Sequence, residues 1–154
     1  MCVTDERKVQ VGQDESHVVD RSYETWNSGN VDGLQELYAI DADVAIPGAS
    51  AQGREQIGAL WGAIISAFPD GRLTELLRLD CGGHIVSENN LSGTHTAPLV
   101  TPQGDEIPAT GNSVSVDGVS IFKIENGEIQ SEHLYFDQMT FLAQLGLIPP
   151  QPTT

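Results

Sequence analysis

The amino-acid sequence predicts a single α+β domain, with helices in the first half of the chain and strands in the second. Apolar residues recur every three or four positions up to Pro69-Asp70-Gly71, which is the spacing of one face of a helix. After residue 71 the pattern moves toward alternation and β-branched residues become frequent, as in half-buried strands. Helices followed by strands are typical of a domain in which helices cover one face of a sheet.

The first half predicts three helices. The first ends at the turn 27–30, where Asn, Ser and Gly interrupt the apolar spacing. A short second helix follows, because the apolar residues of 31–38 share one face and Asn30 or Asp32 can cap its first amides. The third runs from about Arg54 to Phe68. A short strand over 43–47 separates the second helix from the third.

The second half predicts four strands and a closing helix. The strands span 72–81, 84–95, 111–124 and 128–136. Asn126-Gly127 predicts a hairpin between the last two, because both residues tolerate positive φ. The closing helix runs from about Gln138 to Leu145 and ends at Gly146. Successive hairpins predict a curved, mainly antiparallel sheet around the helices, with a concave face filled by core or ligand.

Length and charge exclude several classes of partner. The chain has 154 residues and a formal net charge of −15, which repels nucleic acid and anionic membranes. Its apolar runs are too short to span a membrane, and the first residues lack the apolar core of a secretory signal. We therefore expect a cytoplasmic protein with a flexible N-terminus over 1–12, one domain over 13–148, and a flexible Pro-rich tail over 149–154.

The sequence carries no cofactor or metal motif. No Gly-rich phosphate loop follows a predicted strand, no His or Cys group has metal-ligand spacing, and no Ser occupies a nucleophile-elbow context. The segment 98–108, rich in Pro and Gly, is either a mobile lid or a surface excursion. We therefore expect a cofactor-free and metal-free protein.

The last strand collects chemically useful side chains. Strict alternation places His133, Tyr135 and Asp137 on one side, facing a cavity, and Leu134 and Phe136 on the other. Burial of the second side predicts a homodimer. Alternative interpretations remain open at this point. Asp137 can cap the closing helix by accepting amide hydrogen bonds, His133 can be a half-exposed sheet residue, and Tyr135 can belong to the core.

An ordered set of motifs resembles the SnoaL-like polyketide cyclase family of the nuclear transport factor 2 superfold. The set covers nearly all of residues 15 to 148 and consists of Gly53-Arg54-Glu55-Gln56-Ile57, Ala67-Phe68-Pro69-Asp70, Ser92-Gly93-Thr94-His95, Glu128-Ile129, Glu132-His133, Asp137 and Gln144-Leu145-Gly146-Leu147. The resemblance implies a cone-shaped barrel, usually dimeric, with a deep apolar pocket and no cofactor. It also implies an apolar small-molecule substrate, in which a ring closes by intramolecular aldol condensation. Such a reaction is an isomerase or lyase activity of secondary metabolism and antibiotic biosynthesis.

The resemblance assigns roles to particular residues. The family's general acid and base falls on Asp137, and burial in an apolar pocket would raise the pKa of such a carboxyl toward neutrality. Hydrogen-bond donors would stabilise the charge that develops on oxygen. The candidate donors are His95, His133, Tyr135 and Asn90. The candidate lining residues are Trp26, Trp61, Phe68 and Leu99.

Two other functions remain open. The superfold also resembles ketosteroid isomerases, but Ile46 stands where their base is expected, so that mechanism would need Asp43 instead. Epoxide opening would need a second carboxylate, from Asp43, Asp80 or Glu88. The other function is that of a non-catalytic binding or scaffold protein, in which Asp137 is only a helix cap.

Overall fold

A computed structural model describes residues 6–150 and 152, and the side chains from residue 15 onward. Four helices and eight strands lie in this part of the chain. The helices are α1 (Glu6–Asn27), α2 (Val31–Gln35), α3 (Arg54–Ala67) and α4 (Gln138–Gln144). The strands are β1 (Tyr38–Ile46), β2 (Ala49–Gln52), β3 (Arg72–Asp80), β4 (His84–Thr94), β5 (Leu99–Val100), β6 (Glu106–Ile107), β7 (Ser113–Glu125) and β8 (Glu128–Phe136).

The main sheet confirms the predicted α+β class. Its six strands follow the order β2-β1-β8-β7-β4-β3, and β5 pairs with β6 in a separate ribbon. The sheet is curved and does not close, since β2 and β3 remain as its edges. All pairs are antiparallel except β1 with β8, which run parallel. The sheet is therefore mixed, and the expectation from consecutive hairpins missed this one long-range pairing.

The helices pack on the concave face because their apolar stripes demand burial. Val19 and Trp26 of α1 and Ile57 and Trp61 of α3 belong to one continuous buried cluster with the inward residues of the sheet. Asn27 ties the end of α1 to β3, since its side chain accepts from Leu73 N at 2.7 Å and donates to Leu73 O at 2.8 Å. These contacts fix one wall of the space between helices and sheet.

The predicted turns are present. Asn126 and Gly127 have φ values of 53° and 74° and connect β7 to β8, as a two-residue hairpin turn requires. Gly146 follows α4 with φ of 79°, the left-handed conformation that commonly ends a helix. Both turns confirm the boundaries that the sequence predicts for the second half of the domain.

The last strand corrects the predicted faces. Ile124 pairs with Ile129 and Lys123 pairs with Ser131, so Gln130 is an extra residue on β8. Such a bulge interrupts the alternation of side chains. Glu132, Leu134 and Phe136 consequently line the concave side. The expectation that His133, Tyr135 and Asp137 face a cavity is wrong for this reason.

The N-terminal half also departs from the expected boundaries. The second helix ends at Gln35, and Tyr38 already begins β1, because Leu37 and Tyr38 are buried by the sheet rather than by a helix face. The strand β2 was not predicted. Helix α1 begins at Glu6, within the segment 1–12 expected to be flexible, while residues 1–5, 151, 153 and 154 of the two expected flexible ends lie outside the described residues. No helix in the described part of the chain is long and apolar enough to cross a membrane.

Candidate functional site

A cavity of about 250 Å³ lies between the helices and the concave face of the sheet. This volume is many times the roughly 10–15 Å³ that one water molecule needs. Its wall is mainly apolar and includes residues from α1, α3, α4 and the β5–β6 ribbon. Among these apolar residues are Trp26, Trp61, Ile64, Phe68, Leu91, Leu99, Ile107, Val116, Leu134, Phe136, Phe141 and Leu145. The cavity therefore fits an apolar small molecule.

Glu132 is the only charged side chain among the described residues that line this cavity. It is 6% exposed, and both of its carboxyl oxygens accept hydrogen bonds. Tyr38 Oη donates to Oε2 at 2.5 Å, and Ser120 Oγ donates to Oε1 at 3.0 Å. Trp61 Nε1 in turn donates to Tyr38 Oη at 3.0 Å. The carboxyl is thus held in one orientation by side chains from three other elements.

The surroundings of Glu132 change its acidity. Burial raises the pKa of the Glu132 carboxyl above its ordinary value, and the hydrogen bonds from Tyr38 and Ser120 partly oppose that rise. Burial and the neighbouring Glu132 charge also raise the pKa of Tyr38. Desolvation disfavours both ionised forms, since little water reaches either group. A carboxylate with a raised pKa is a stronger base than one in water, so Glu132 is suited to proton transfer.

A buried amide lies beside this carboxyl. Asn89 lines the cavity and is 5% exposed. Its Nδ2 is 3.4 Å from Ser120 Oγ, the same hydroxyl that donates to Glu132. The polar groups around Glu132 therefore come from four strands, β1, β4, β7 and β8, and from α3. Sequence reasoning identified neither Glu132 nor Asn89 as a site residue.

Four residues predicted to line a pocket do line this one. Trp26 comes from α1, Trp61 from α3, Phe68 from the end of α3, and Leu99 from β5. Contact of these four residues with a substrate remains a prediction.

Asp137, His133 and Tyr135 lie outside the cavity lining. Asp137 is the N-cap of α4, where it accepts from the amides of Met139 at 3.0 Å and Thr140 at 3.2 Å. These bonds and the Thr140 hydroxyl lower the pKa of Asp137. Tyr135 is 58% exposed, and His133 is half-exposed with Nε2 at 3.2 Å from Asp43 Oδ2.

The other two predicted donors are also placed elsewhere. His95 is fully buried but does not line the cavity; its ring packs against Phe68, and its Nδ1 accepts from Thr110 N at 3.2 Å. Burial lowers the pKa of His95. Asn90 lies on the outer face of β4, where it donates to Asp117 and Ser115. Alternation from the buried Ile85 turns Asn89 inward and Asn90 outward.

Epoxide opening would need a second carboxylate in the cavity, and the described lining contains none besides Glu132. Asp43, Asp80 and Glu88 are all absent from the described lining, and Ile46 lines it instead. The segment 98–108 contains the β5–β6 ribbon, and Leu99, Val100 and Ile107 of that ribbon face the cavity. The ribbon therefore covers one side of the site, while its movement as a lid remains a prediction.

Comparison with known proteins identifies the family. The sequence profile of the SnoaL-like polyketide cyclases matches residues 16–145. The chain belongs to the SnoaL-like polyketide cyclase family. No curated protein matches it in sequence. The match covers the cavity, the main sheet and α4, so the whole described site lies within the family domain.

Solved structures agree with this fold. A protein from Jannaschia sp. CCS1, named as a candidate SnoaL-like polyketide cyclase, has a TM-score of 0.77 at 18% identity, covering 90% of this chain and 94% of its own. IdmH from Streptomyces antibioticus, named as a candidate polyketide cyclase, has a TM-score of 0.69 at 28% identity, covering 86% and 98%. A protein of ketosteroid isomerase-like fold from Catenulispora acidiphila has a TM-score of 0.71 at 22% identity, covering 88% and 97%.

Within this SnoaL-like domain, a signal for Glu132 is present in the sequence. Ile129 is apolar at an odd position of the last strand, whereas Leu134 and Phe136 are apolar at even positions. A change of parity within one strand indicates a bulge between the two sets. This change of parity predicts that Glu132 faces inward together with Leu134. The catalytic role that the resemblance gives to Asp137 remains a prediction.

Proposed function

We propose that this protein is a cofactor-independent cyclase of secondary metabolism that closes a ring in an apolar, polyketide-like substrate by acid–base catalysis. The observation that carries the proposal is the buried carboxyl of Glu132 within a mainly apolar cavity. Family membership supports the reaction class. We assign the general base and acid to Glu132 instead of Asp137, because Glu132 is the carboxyl that a molecule in the cavity can reach.

The reaction needs one group that removes a proton and returns it. Glu132 takes a proton from a carbon next to a carbonyl, which leaves an enolate. The enolate carbon then attacks a second carbonyl carbon of the same molecule, forming the new C–C bond and an alkoxide. The alkoxide takes the proton back from Glu132, so the carboxylate is regenerated without another reactant. The enclosing wall brings the two carbons together and thereby lowers the entropic cost of closure.

Tyr38, Ser120 and Trp61 act as positioning residues in this scheme. Trp61 holds the Tyr38 hydroxyl, which donates to Glu132 Oε2. Oε1 has the longer bond, to the rotatable Ser120 hydroxyl. We therefore assign the proton transfer to Oε1, since Ser120 can turn away from it while Tyr38 keeps the carboxyl in place.

The assignment is tested by two matched changes from carboxyl to amide, Glu132→Gln and Asp137→Asn. The probe is 2-acetylnaphthalene, whose methyl protons exchange with deuterium in D2O when a base forms the enolate. Proton NMR measures the exchange rate with each protein. We expect Glu132→Gln to reduce the protein-catalysed rate by about 100-fold or more. Asp137→Asn should change it by less than about threefold, because Asn remains a good helix cap.

The opposite pattern would return the catalytic role to Asp137. Equal exchange with wild type and a folded Glu132→Gln protein would contradict the assignment to Glu132. The far-UV circular dichroism spectrum of each variant serves as the control for folding.

The two other functions make different demands on the site. Epoxide opening needs an acid at the epoxide oxygen and a base for the nucleophile, but the described cavity lining contains one carboxyl. A non-catalytic binding protein needs no proton-transfer group. It would bind apolar ligands both as wild type and as Glu132→Gln, and it would catalyse proton exchange in neither form. The exchange assay therefore distinguishes ring-closing chemistry from binding alone.

We also propose that the protein is a homodimer, with the outer face of the sheet as its interface. Leu79, Val86, Ile121 and His133 are consecutive cross-strand partners, and Leu77, Glu88, Val119 and Tyr135 form the adjacent row. Several of these are large and apolar yet solvent-exposed, notably Leu77 and Tyr135 at 51% and 58%. A contiguous apolar patch of this kind favours burial against a second copy.

Ile121→Asp introduces a charge in the middle of this patch. We expect sedimentation equilibrium to give a dimer for wild type and a monomer for the variant. Ile40→Asp is the matched control, since Ile40 is 79% exposed but lies outside both rows. A monomeric wild type would refute the proposal, as would a dimer that survives Ile121→Asp.

A further inference from the structure

The amide oxygen of Asn89 is a polar atom in the cavity that the proposed mechanism does not use. The nitrogen of the same amide is shared among acceptors, with Nδ2 at 3.3 Å from Ser87 O and 3.4 Å from Ser120 Oγ. It also interacts with the Tyr23 hydroxyl. The other atom of the amide, Oδ1, is the atom of Asn89 nearest to the place that a Cβ of Gly118 on β7 would occupy.

Gly118 is the residue that Oδ1 faces. It pairs with Asn89 across β4 and β7 and lines the cavity. A Cβ atom at position 118 would lie 3.3 Å from Asn89 Oδ1 and 3.2 Å from a methyl carbon of Leu134. Such a Cβ would also lie 3.0 Å from Tyr135 O, so the position is crowded for any side chain, and the glycine keeps the amide oxygen uncovered on this side.

The hydrogen bonds of Asn89 in the described part of the chain involve Nδ2 and not Oδ1. The oxygen is not fully enclosed by protein atoms, since His95 Nε2 is the one fully buried polar side-chain atom of the described residues that lacks a partner. A carbonyl oxygen at the wall of an apolar cavity gains free energy when it accepts a hydrogen bond, and nearly all buried polar groups have a partner. In an apolar cavity that opens beside this atom, a ligand hydroxyl can be that partner. An ether or a ketone cannot, because neither has a hydrogen to donate.

The amide also lies next to the proposed catalytic carboxyl. Ser120 Oγ is within hydrogen-bond distance of both Asn89 Nδ2 and Glu132 Oε1. One hydroxyl group therefore separates the two side chains. A molecule anchored at Asn89 has its adjoining carbon atoms beside Glu132.

We propose that Asn89 Oδ1, which Gly118 leaves uncovered, is a subsite that binds an enolic or phenolic hydroxyl of the substrate. The subsite selects molecules with a free hydroxyl over the corresponding ethers. This inference rests on the proposed function, since it names the substrate group that is held next to Glu132.

Isothermal titration calorimetry with 2-naphthol and 2-methoxynaphthalene tests the subsite, because the two probes differ in whether their oxygen can donate. We expect wild type to bind 2-naphthol about tenfold more tightly, as one buried hydrogen bond allows. Asn89→Leu keeps the side-chain size and should reduce this preference to less than about twofold. Asn90→Leu is the matched control on the outer face and should leave the preference unchanged.

Gly118→Ala is the second variant. It keeps the Asn89 amide and places a methyl group 3.3 Å from Oδ1. We expect this variant also to lose the preference for 2-naphthol, with the binding of neither probe lost altogether. A preference that persists in both folded variants would overturn the proposal. So would a preference lost in Glu132→Gln and kept in Asn89→Leu, because the carboxyl would then be the acceptor.

The binding experiment and the exchange experiment fail independently. If Glu132→Gln exchanges protons as wild type does, the proposed catalytic function fails while a hydroxyl preference that depends on Asn89 still stands. If catalysis depends on Glu132 but wild type binds the two naphthalene probes equally, the subsite fails alone.

Discussion

Glu132 lies in the middle of β8 and Asp137 directly follows that strand, and the environments of these two carboxylates are opposite. Glu132 is buried in the cavity and accepts from the hydroxyls of Tyr38 and Ser120. Asp137 is exposed and accepts from the first amides of α4. Burial raises the pKa of Glu132, whereas hydrogen bonds lower the pKa of Asp137.

The difference shows that a carboxylate's position relative to the sheet decides what it can do. A desolvated carboxyl both takes and returns a proton near neutral pH, while a helix cap remains ionised and stabilises its helix. The extra residue Gln130 determines which role each one receives, because it sets the face on which Glu132 emerges. Three predictions test this comparison.

The largest effect is expected from insertion of one alanine between Ser131 and Glu132. The inserted residue would turn His133 and Tyr135 inward and expose Leu134 and Phe136, since a shift of one residue exchanges the two faces of a strand. We expect the insertion variant to lose the cooperative thermal transition that wild type shows by circular dichroism. Gln130→Ala keeps the residue count and should change the free energy of unfolding by less than about 0.5 kcal/mol. An insertion variant that unfolds as wild type does would mean that the residue spacing along β8 does not fix the faces.

An intermediate effect is expected in the pH dependence of stability. Because the folded-state pKa of Glu132 is raised above its ordinary value of 4.5, the folded protein holds this proton at pH values where the unfolded chain has released it. Its contribution to stability is therefore fully present below pH 4.5 and is lost as the pH rises through the folded-state pKa. We expect the Tm of Glu132→Gln to rise relative to wild type across that window.

The measurement is the difference in Tm between the two proteins at a series of pH values from about 4 to about 9. This range runs roughly from the ordinary pKa of a carboxyl group to a strongly raised pKa. Groups other than Glu132 titrate in both proteins, so the difference isolates this carboxyl. A wild type that gains stability over the variant with rising pH would indicate a lowered pKa and contradict the electrostatic account of the cavity.

The smallest effect is expected at the helix cap. Asp137→Ala removes the acceptor for the amides of Met139 and Thr140. We expect a decrease in Tm of roughly 2–4 °C at neutral pH, typical for the loss of one cap in a domain of this size. Because the pKa of Asp137 is lowered, the cap stabilises wild type above its ordinary value of 3.8 and weakens as the pH falls below it. Asp137→Asn retains an acceptor and should stay close to wild type; a decrease as large as that of Asp137→Ala would show that the cap is not what stabilises α4.

Much of the fold could be predicted because it depends on local signals. The helix α3, the hairpin at Asn126-Gly127 and the strands of the second half follow from periodicity and turn residues close together in the sequence. The four lining residues Trp26, Trp61, Phe68 and Leu99 follow from the same patterns. Each of these features is encoded within one short segment of the chain.

The site itself depends on features that local periodicity does not carry. Strict alternation fails at Gln130, so it places Glu132 on the wrong face and favours His133 instead. On β4 the choice between Asn89 and Asn90 depends on which neighbour shares the face of Ile85. The contact of Tyr38 with Glu132 requires the parallel pairing of β1 with β8. Hairpin signals in the sequence do not predict this pairing, because the two strands are far apart in the chain.

That parallel pairing has a consequence for the order in which the protein folds. Tyr38 and Glu132 are 94 positions apart in the chain, and contacts between distant residues form late because closing a long loop costs entropy first. On the ribosome, β1 is made well before its partner β8 exists. The carboxyl of Glu132 is therefore hydrated during synthesis and acquires its raised pKa only when the first and last strands of the main sheet meet. The proposed catalytic competence is consequently a late product of folding, and a nascent chain truncated before β8 would contain nearly every helix and strand but would lack Glu132.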